Sequence, residues 1–225
     1  FDLYVGLYPA IAAPVCPDVV PPLVPDLDVL IVRENTEDIY IMQEMVEHTK
    51  EGRTALAMRR ITEAASLRIA RFAFAQAQAR RKRLTVVTRS TIMNVTDGLF
   101  RECCLWVHND FPDVEVNDHV LDSFIYSLVR NPRDYDVILT PNMYGWLLAN
   151  ACSALVGGVG ITPSLNYSPD FVLAEPIHGT ARGLFGTQRA NPTAAIRAAG
   201  MLLQSIAPDG KVTECLEDAV HEALV

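Results

Sequence analysis

Apolar positions along the chain fall into two rhythms, one suited to buried strands and one to amphipathic helices. The run LDVLIV at 27–32 is short, apolar and rich in β-branched residues, with prolines before it and polar residues after it, which predicts a buried strand. Arg33 to Tyr40 then continue as a polar loop. From 57 to 81, Ala, Ile, Leu and Phe recur at helical spacing between Arg and Glu, predicting one long amphipathic helix. Further strands are predicted at 84–87 (LTVV), 114–121 (VEVNDHVL), 135–140 (YDVILT) and 171–176 (FVLAEP). Further helices are predicted at 96–108, 122–129, 144–155, 193–206 and 212–224. Asn131-Pro132 stops one helix, because proline disfavours the helical state of the residue before it, and Pro192 opens another. Gly157 to Pro163 is a glycine-rich turn. Strands alternating with helices define an α/β chain with a mostly parallel or mixed sheet.

Composition narrows the functional classes. Half of the 225 residues are hydrophobic, so the chain folds around a real core. A net charge of −8 from 27 acidic and 19 basic residues argues against a nucleic-acid surface, which needs a clustered basic excess. The one basic run, Arg80 to Arg83, is expected to be a solvated helix end. Five cysteines, at 16, 103, 104, 152 and 215, fit neither a disulfide framework nor zinc spacing, and point to the cytoplasm or the mitochondrial matrix. No apolar run reaches the roughly 18–20 residues of a membrane helix, so no membrane partner is expected.

The residues that could carry chemistry lie in separated motifs: RENTEDIY at 33–40, TDGLF at 96–100, LTPNMYGWLLANACSALVGGVGITP at 139–163, EPIHGTA at 175–181 and ANP at 190–192. In this order they resemble the isocitrate/isopropylmalate dehydrogenase family of decarboxylating β-hydroxyacid dehydrogenases, most nearly the homoisocitrate and isocitrate enzymes. The resemblance implies a two-domain α/β fold of the isopropylmalate dehydrogenase type with mixed sheets, lacking the N-terminal part of the large domain. Residues 1–8 and 140–225 would be the remnant of that large, cofactor-binding domain, and residues 9–139 the small domain of substrate binding and dimerisation.

It also implies oxidation of a tricarboxylate-type 2-hydroxy acid by NAD or NADP, followed by loss of CO₂, with Mg²⁺ or Mn²⁺ as Lewis acid. By position, Arg33 and Asn35 would bind substrate, and Tyr40 and the residue at Arg89 would move protons. Asp122 and Asn150 would be the metal positions, and His178, Gly179, Thr180, Ala181 and Asn191 would hold the cofactor. Against the pattern that the resemblance implies, Arg89 stands at a lysine position, Trp146 and Asn150 at two metal-binding aspartates, Tyr8 at an arginine and Gly183 at an aspartate of the adenine loop. An arginine keeps its proton near neutrality, and an indole offers a metal no ligand.

Two readings follow. One is a dimeric dehydrogenase whose altered ligands are tolerated or supplied by another chain. The other is a weak or inactive regulatory subunit, in a homodimer or beside a catalytic paralogue, that keeps a carboxylate or nucleotide site. Plainer roles stand beside these: Arg33 paired with an acid, Asp122 as a helix N-cap, His178 as an ordinary loop histidine.

Overall fold

A computed structural model describes residues 1–12, 21–207 and 211–224, so Cys16 lies outside the described residues. The chain runs β1 (Val5–Ile11), β2 (Asp28–Glu34), β3 (Glu44–Thr49), β4 (Gly52–Ala57), α1 (Glu63–Ala79), β5 (Arg83–Thr88), α2 (Thr96–His108), β6 (Glu115–Val120), α3 (Leu121–Arg130), β7 (Val137–Thr140) and α4 (Asn142–Val156). It continues with β8 (Pro163–Tyr167), β9 (Val172–Pro176), α5 (Thr193–Ile206) and α6 (Lys211–Leu224). Seven strands form one mixed sheet in the order β6-β5-β7-β2-β1-β8-β9. The half from β6 to β2 is parallel, and β1, β8 and β9 add to it antiparallel.

The continuous apolar run of β2 has its cause in this layering. Side chains alternate across a strand, and here both faces are covered. Leu30 and Val32 pack with Ile69, Ala73 and Phe74 of α1 and Phe100 and Val107 of α2. Val29 and Ile31 pack on the opposite face with Phe124 and Leu128 of α3 and Leu148, Ala149 and Cys152 of α4. The sheet is thus the middle layer of three. The described cysteines are free, and burial pushes the Cys152 thiol up to about 12.

Several expectations are corrected. The strand at 27–32 extends through Arg33 and Glu34, because β1 pairs with it along its full length, from Val5 opposite Glu34 to Ile11 opposite Asp28. The helix expected from 57 begins at Glu63. Thr62 caps it by accepting a hydrogen bond from the Ala65 amide, and the Glu37 carboxylate holds the Thr62 amide (2.7 Å) and hydroxyl (2.9 Å) outside the helix. β1, β3, β4 and β8 were not anticipated as strands.

The basic run is not merely solvated. Arg80 donates to Asp136 (2.8 Å) and Asp28 (2.7 Å), Arg81 lies 3.3 Å from Asp136, and Lys82 and Arg83 approach Asp113 and Glu115. Asp136 is fully buried and also accepts from the Arg81 amide (2.8 Å), so the C-terminal end of α1 is anchored to the entry of β7. Asp136→Ala is expected to lower unfolding free energy by roughly 1.5–3 kcal/mol, the scale of a hydrogen bond to a charged group, as measured by urea denaturation.

Candidate functional site

In an open α/β sheet, ligands collect where the parallel strands end at their carboxyl termini. Four such ends meet here. β2 closes with Arg33 and Glu34, β5 is followed by Arg89, β6 leads into Asp122 and β7 leads into Asn142.

Arg33 is only 8% exposed, and among the described residues no carboxylate lies within ion-pair distance of it, so the pairing with an acid is not found. Neutral partners take its place. Nε donates to the carbonyl (2.9 Å) and side-chain oxygen (3.0 Å) of Asn142, one terminal nitrogen donates to that same Oδ1 (2.6 Å), and the other donates to the Tyr8 hydroxyl (2.8 Å). Three rings surround the guanidinium carbon: Tyr40 at 5.2 Å, Trp146 at 5.4 Å and Tyr8 at 6.0 Å. Burial raises the Tyr8 phenol pKa, against the lowering effect of Arg33. Asn142 donates in turn to the Glu37 carbonyl (3.1 Å), which ties β7 to the loop after β2.

That loop is built by its own acids. Glu34 accepts from the Thr36 amide (2.9 Å), the Thr36 hydroxyl and the Glu37 amide (2.9 Å), while burial raises its pKa. Asp38 caps the single turn that carries Tyr40, accepting from Ile39 (2.8 Å), and its Oδ2 also accepts from the Met143 amide (2.9 Å) at the start of α4. Its backbone sits at φ 71°, ψ −149°, which costs a non-glycine residue about 1–3 kcal/mol. The carboxylate contacts offset that strain.

Arg89 and Asp122 meet in an ion pair of 2.5 Å. Asp122 lies in the first turn of α3, Val120 occupies the cap position without a side-chain bond, and the N-cap reading of Asp122 is therefore replaced by this pair. Asn150 donates to the Trp146 carbonyl (2.9 Å) within α4. Among the described residues, no three His, Cys, Asp or Glu side chains are grouped so that they could hold a metal ion.

Asn35 does not face the Arg33 group: its amide donates to the Leu3 carbonyl (3.2 Å) and to Asn166 (3.1 Å), and Asn166 donates to Glu175 (3.0 Å). This relay links the RENTEDIY and EPIHGTA segments. The His178 ring lies 2.9 Å from the Gly179 carbonyl, and Gly179 and Thr180 are exposed. Ala181 turns the chain at φ 43°, and Asn191 accepts from the Thr193 amide (2.9 Å) at the start of α5. Sequence reasoning missed Asn142, Asn166 and Arg59. Arg59 contacts Asp38, Asp97 and Tyr144, and separations of 21, 38 and 85 residues leave no local signal.

A buried arginine ringed by aromatic side chains thus lies at the carboxyl edge of the mixed sheet of an α/β protein. A family model described as isocitrate/isopropylmalate dehydrogenase matches residues 1–225, and the chain belongs to that family. The 3-isopropylmalate dehydrogenase of Methanothermobacter thermautotrophicus is 38% identical over 229 residues, covering 100% of this chain and 67% of that protein. A probable mitochondrial isocitrate dehydrogenase [NAD] subunit alpha of Drosophila melanogaster is 41% identical over 180 residues, covering 80% and 47%. The solved isocitrate dehydrogenase from Methylococcus capsulatus superimposes with a TM-score of 0.87 at 34% identity, covering 96% of this chain and 66% of that one. The chain thus spans about half to two thirds of the length of these relatives.

Gly145 lets α4 lie against Arg33: an added Cβ would stand 2.5 Å from its Cγ and 2.7 Å from its Cβ. Gly145→Ala would gain about 1 kcal/mol of helix propensity but incur overpacking of about 1–3 kcal/mol. A net fall in stability is expected by chemical denaturation, together with a changed Trp146 emission as Arg33 moves.

Proposed function

We propose that this chain is a carboxylate-binding member of the family with little or no dehydrogenase turnover of its own, working in a homodimer or beside a catalytic paralogue. The Arg89–Asp122 ion pair carries this reading. A divalent cation at Asp122 would have to displace a guanidinium already neutralising that carboxylate. Asn150 directs its amide hydrogen to its own helix, and Trp146 lays its indole near Arg33. These residues do not fit Mg²⁺ or Mn²⁺.

Carboxylate binding is supported at Arg33. A guanidinium has five N–H groups; Nε and one on each terminal nitrogen are engaged, so each terminal nitrogen retains one for a ligand. A tricarboxylate-type acid placed there would meet a positive charge with no carboxylate described beside it, and the partly exposed Tyr40, whose ring lies 5.2 Å from the guanidinium carbon. Arg89 cannot release a proton near neutrality, so proton transfer from that position is absent from the reaction this chain could support.

A nicotinamide dinucleotide, NAD or NADP, accepts hydride when bound to members of such a family. In this chain the partly exposed His178 and the exposed Gly179, Thr180 and Ala181 would receive the adenosine. Asn191, whose oxygen is used by Thr193, would present its amide nitrogen to the base.

Assembly is supported by β3 and β4. Among the described residues they pair only with each other and are exposed throughout, with Met45, Val46 and Leu56 uncovered, and a lone two-stranded ribbon is marginal in water. A relative named as a subunit agrees with this. Residues 1–8 and 140–225 would form one lobe and residues 9–139 the other, with the seven-stranded sheet, β1 included, continuous across both. Among the described residues no helix is long and apolar enough to cross a membrane; a cytoplasmic or mitochondrial-matrix setting is part of the proposal.

Purified protein with isocitrate or homoisocitrate, NAD or NADP, and Mg²⁺ or Mn²⁺ is expected to yield little or no reduced nicotinamide. Calorimetry in metal-free buffer is expected to detect isocitrate, weakened roughly tenfold or more by Arg33→Ala. A robust metal-dependent rate that Tyr40→Phe abolishes would overturn the reading. Trp146→Asp combined with Asn150→Asp is expected to raise Mn²⁺ affinity; unchanged calorimetric binding would sink the assigned ligand positions.

A further inference from the structure

The hydrogen bonds of Arg59 reach three segments that are far apart in the chain and close at the site. Nε and one terminal nitrogen donate to the two oxygens of Asp38 (2.5 and 3.2 Å), and the other terminal nitrogen donates to Asp97. That second nitrogen also approaches the Tyr144 hydroxyl (3.3 Å) and the Met93 sulfur (2.7 Å), and the Tyr144 ring lies 5.0 Å from the guanidinium carbon. The Asp38 and Asp97 side chains are fully buried, and Arg59 is 9% exposed.

Each carboxylate passes the contact on to backbone. Asp38 holds the Ile39 amide below Tyr40 and the Met143 amide at the head of α4. Asp97 holds the Arg89 amide (2.5 Å), just where β5 ends and the Arg89 side chain departs toward Asp122. Asp38 keeps a backbone conformation suited to glycine only while these bonds persist.

We propose that Arg59 is a positioning residue. Through Asp38 it fixes the Tyr40 turn against α4, through Asp97 it fixes the end of β5, and so it holds Arg33, Tyr40, Trp146 and Arg89 in one arrangement before any ligand arrives. This goes beyond the proposed function and stands whether or not the site binds an acid or turns one over. A lysine cannot replace it, because one ammonium lacks the planar fork that addresses both carboxylates at once.

The test is hydrogen exchange followed by mass spectrometry on the full chain, without ligand. In Arg59→Lys, peptides covering 37–43, 88–98 and 142–146 are expected to exchange faster together, by roughly tenfold or more, while 163–176 keeps its wild-type rate. Asp38→Gly removes one arm and the backbone strain together; it is expected to loosen 37–43 and 142–146 but leave 88–98 protected. Arg133→Ala, which removes an exposed pair with Asp26, serves as the control and should change none of these segments. Wild-type exchange in Arg59→Lys would overturn the proposal. So would uniform acceleration across every segment, the mark of a merely structural role, or an unaffected 142–146 in Asp38→Gly.

Discussion

A charged guanidinium withdrawn from water needs compensation, and at Arg33 no carboxylate among the described residues supplies it. The neighbouring structure is arranged around that requirement. Asn142 gives two oxygens, Tyr8 gives a hydroxyl, and three aromatic rings lie around the cation. Gly145 must lack a side chain for α4 to come close enough to deliver Asn142 and Trp146. β1 must pair along the whole of β2 for Tyr8 to arrive at the same point. Because the partners are neutral, the positive charge is stabilised without being cancelled.

The same economy of charge governs the neighbouring strand ends. Asp122 is countered by Arg89, and Asp38 and Asp97 by Arg59. Family members share this frame, as the match along all 225 residues and the TM-score of 0.87 indicate. Within that frame the described residues balance the carboxylates of the crevice with fixed guanidinium groups.

Much of the frame was legible because the parallel strands and the helices that cover them follow strong periodicities. The helix at 193–206 and the one at 96–108 agree with the sequence pattern to the residue, since each carries an apolar stripe bounded by polar or proline signals. The ribbon at 44–57 was illegible for the opposite reason: exposed on both faces, it has no burial pattern to write into the sequence. β1 was missed because Gly6 and Pro9 interrupt its apolar residues, and β8 because Pro163 opens it and Ser164 and Asn166 break its apolar run; both are ordered by pairing with strands distant in sequence. At the site, Arg33 and Tyr40 were found through a motif eight residues long, and they do lie together. Asp122 looked like a cap because local spacing allows it, while its true partner is 33 residues away. Arg59 offered no clue at all, as every contact that gives it meaning is tertiary.

The ribbon of β3 and β4 has a consequence of its own. Its paired backbones make one ladder, from Glu44 opposite Ala57 to Thr49 opposite Gly52, and nothing else in the described chain lies along it. Order in that arm rests on its own short ladder, so its hydrogen bonds are the ones in the described fold that open at least cost, while the seven-stranded sheet stays closed.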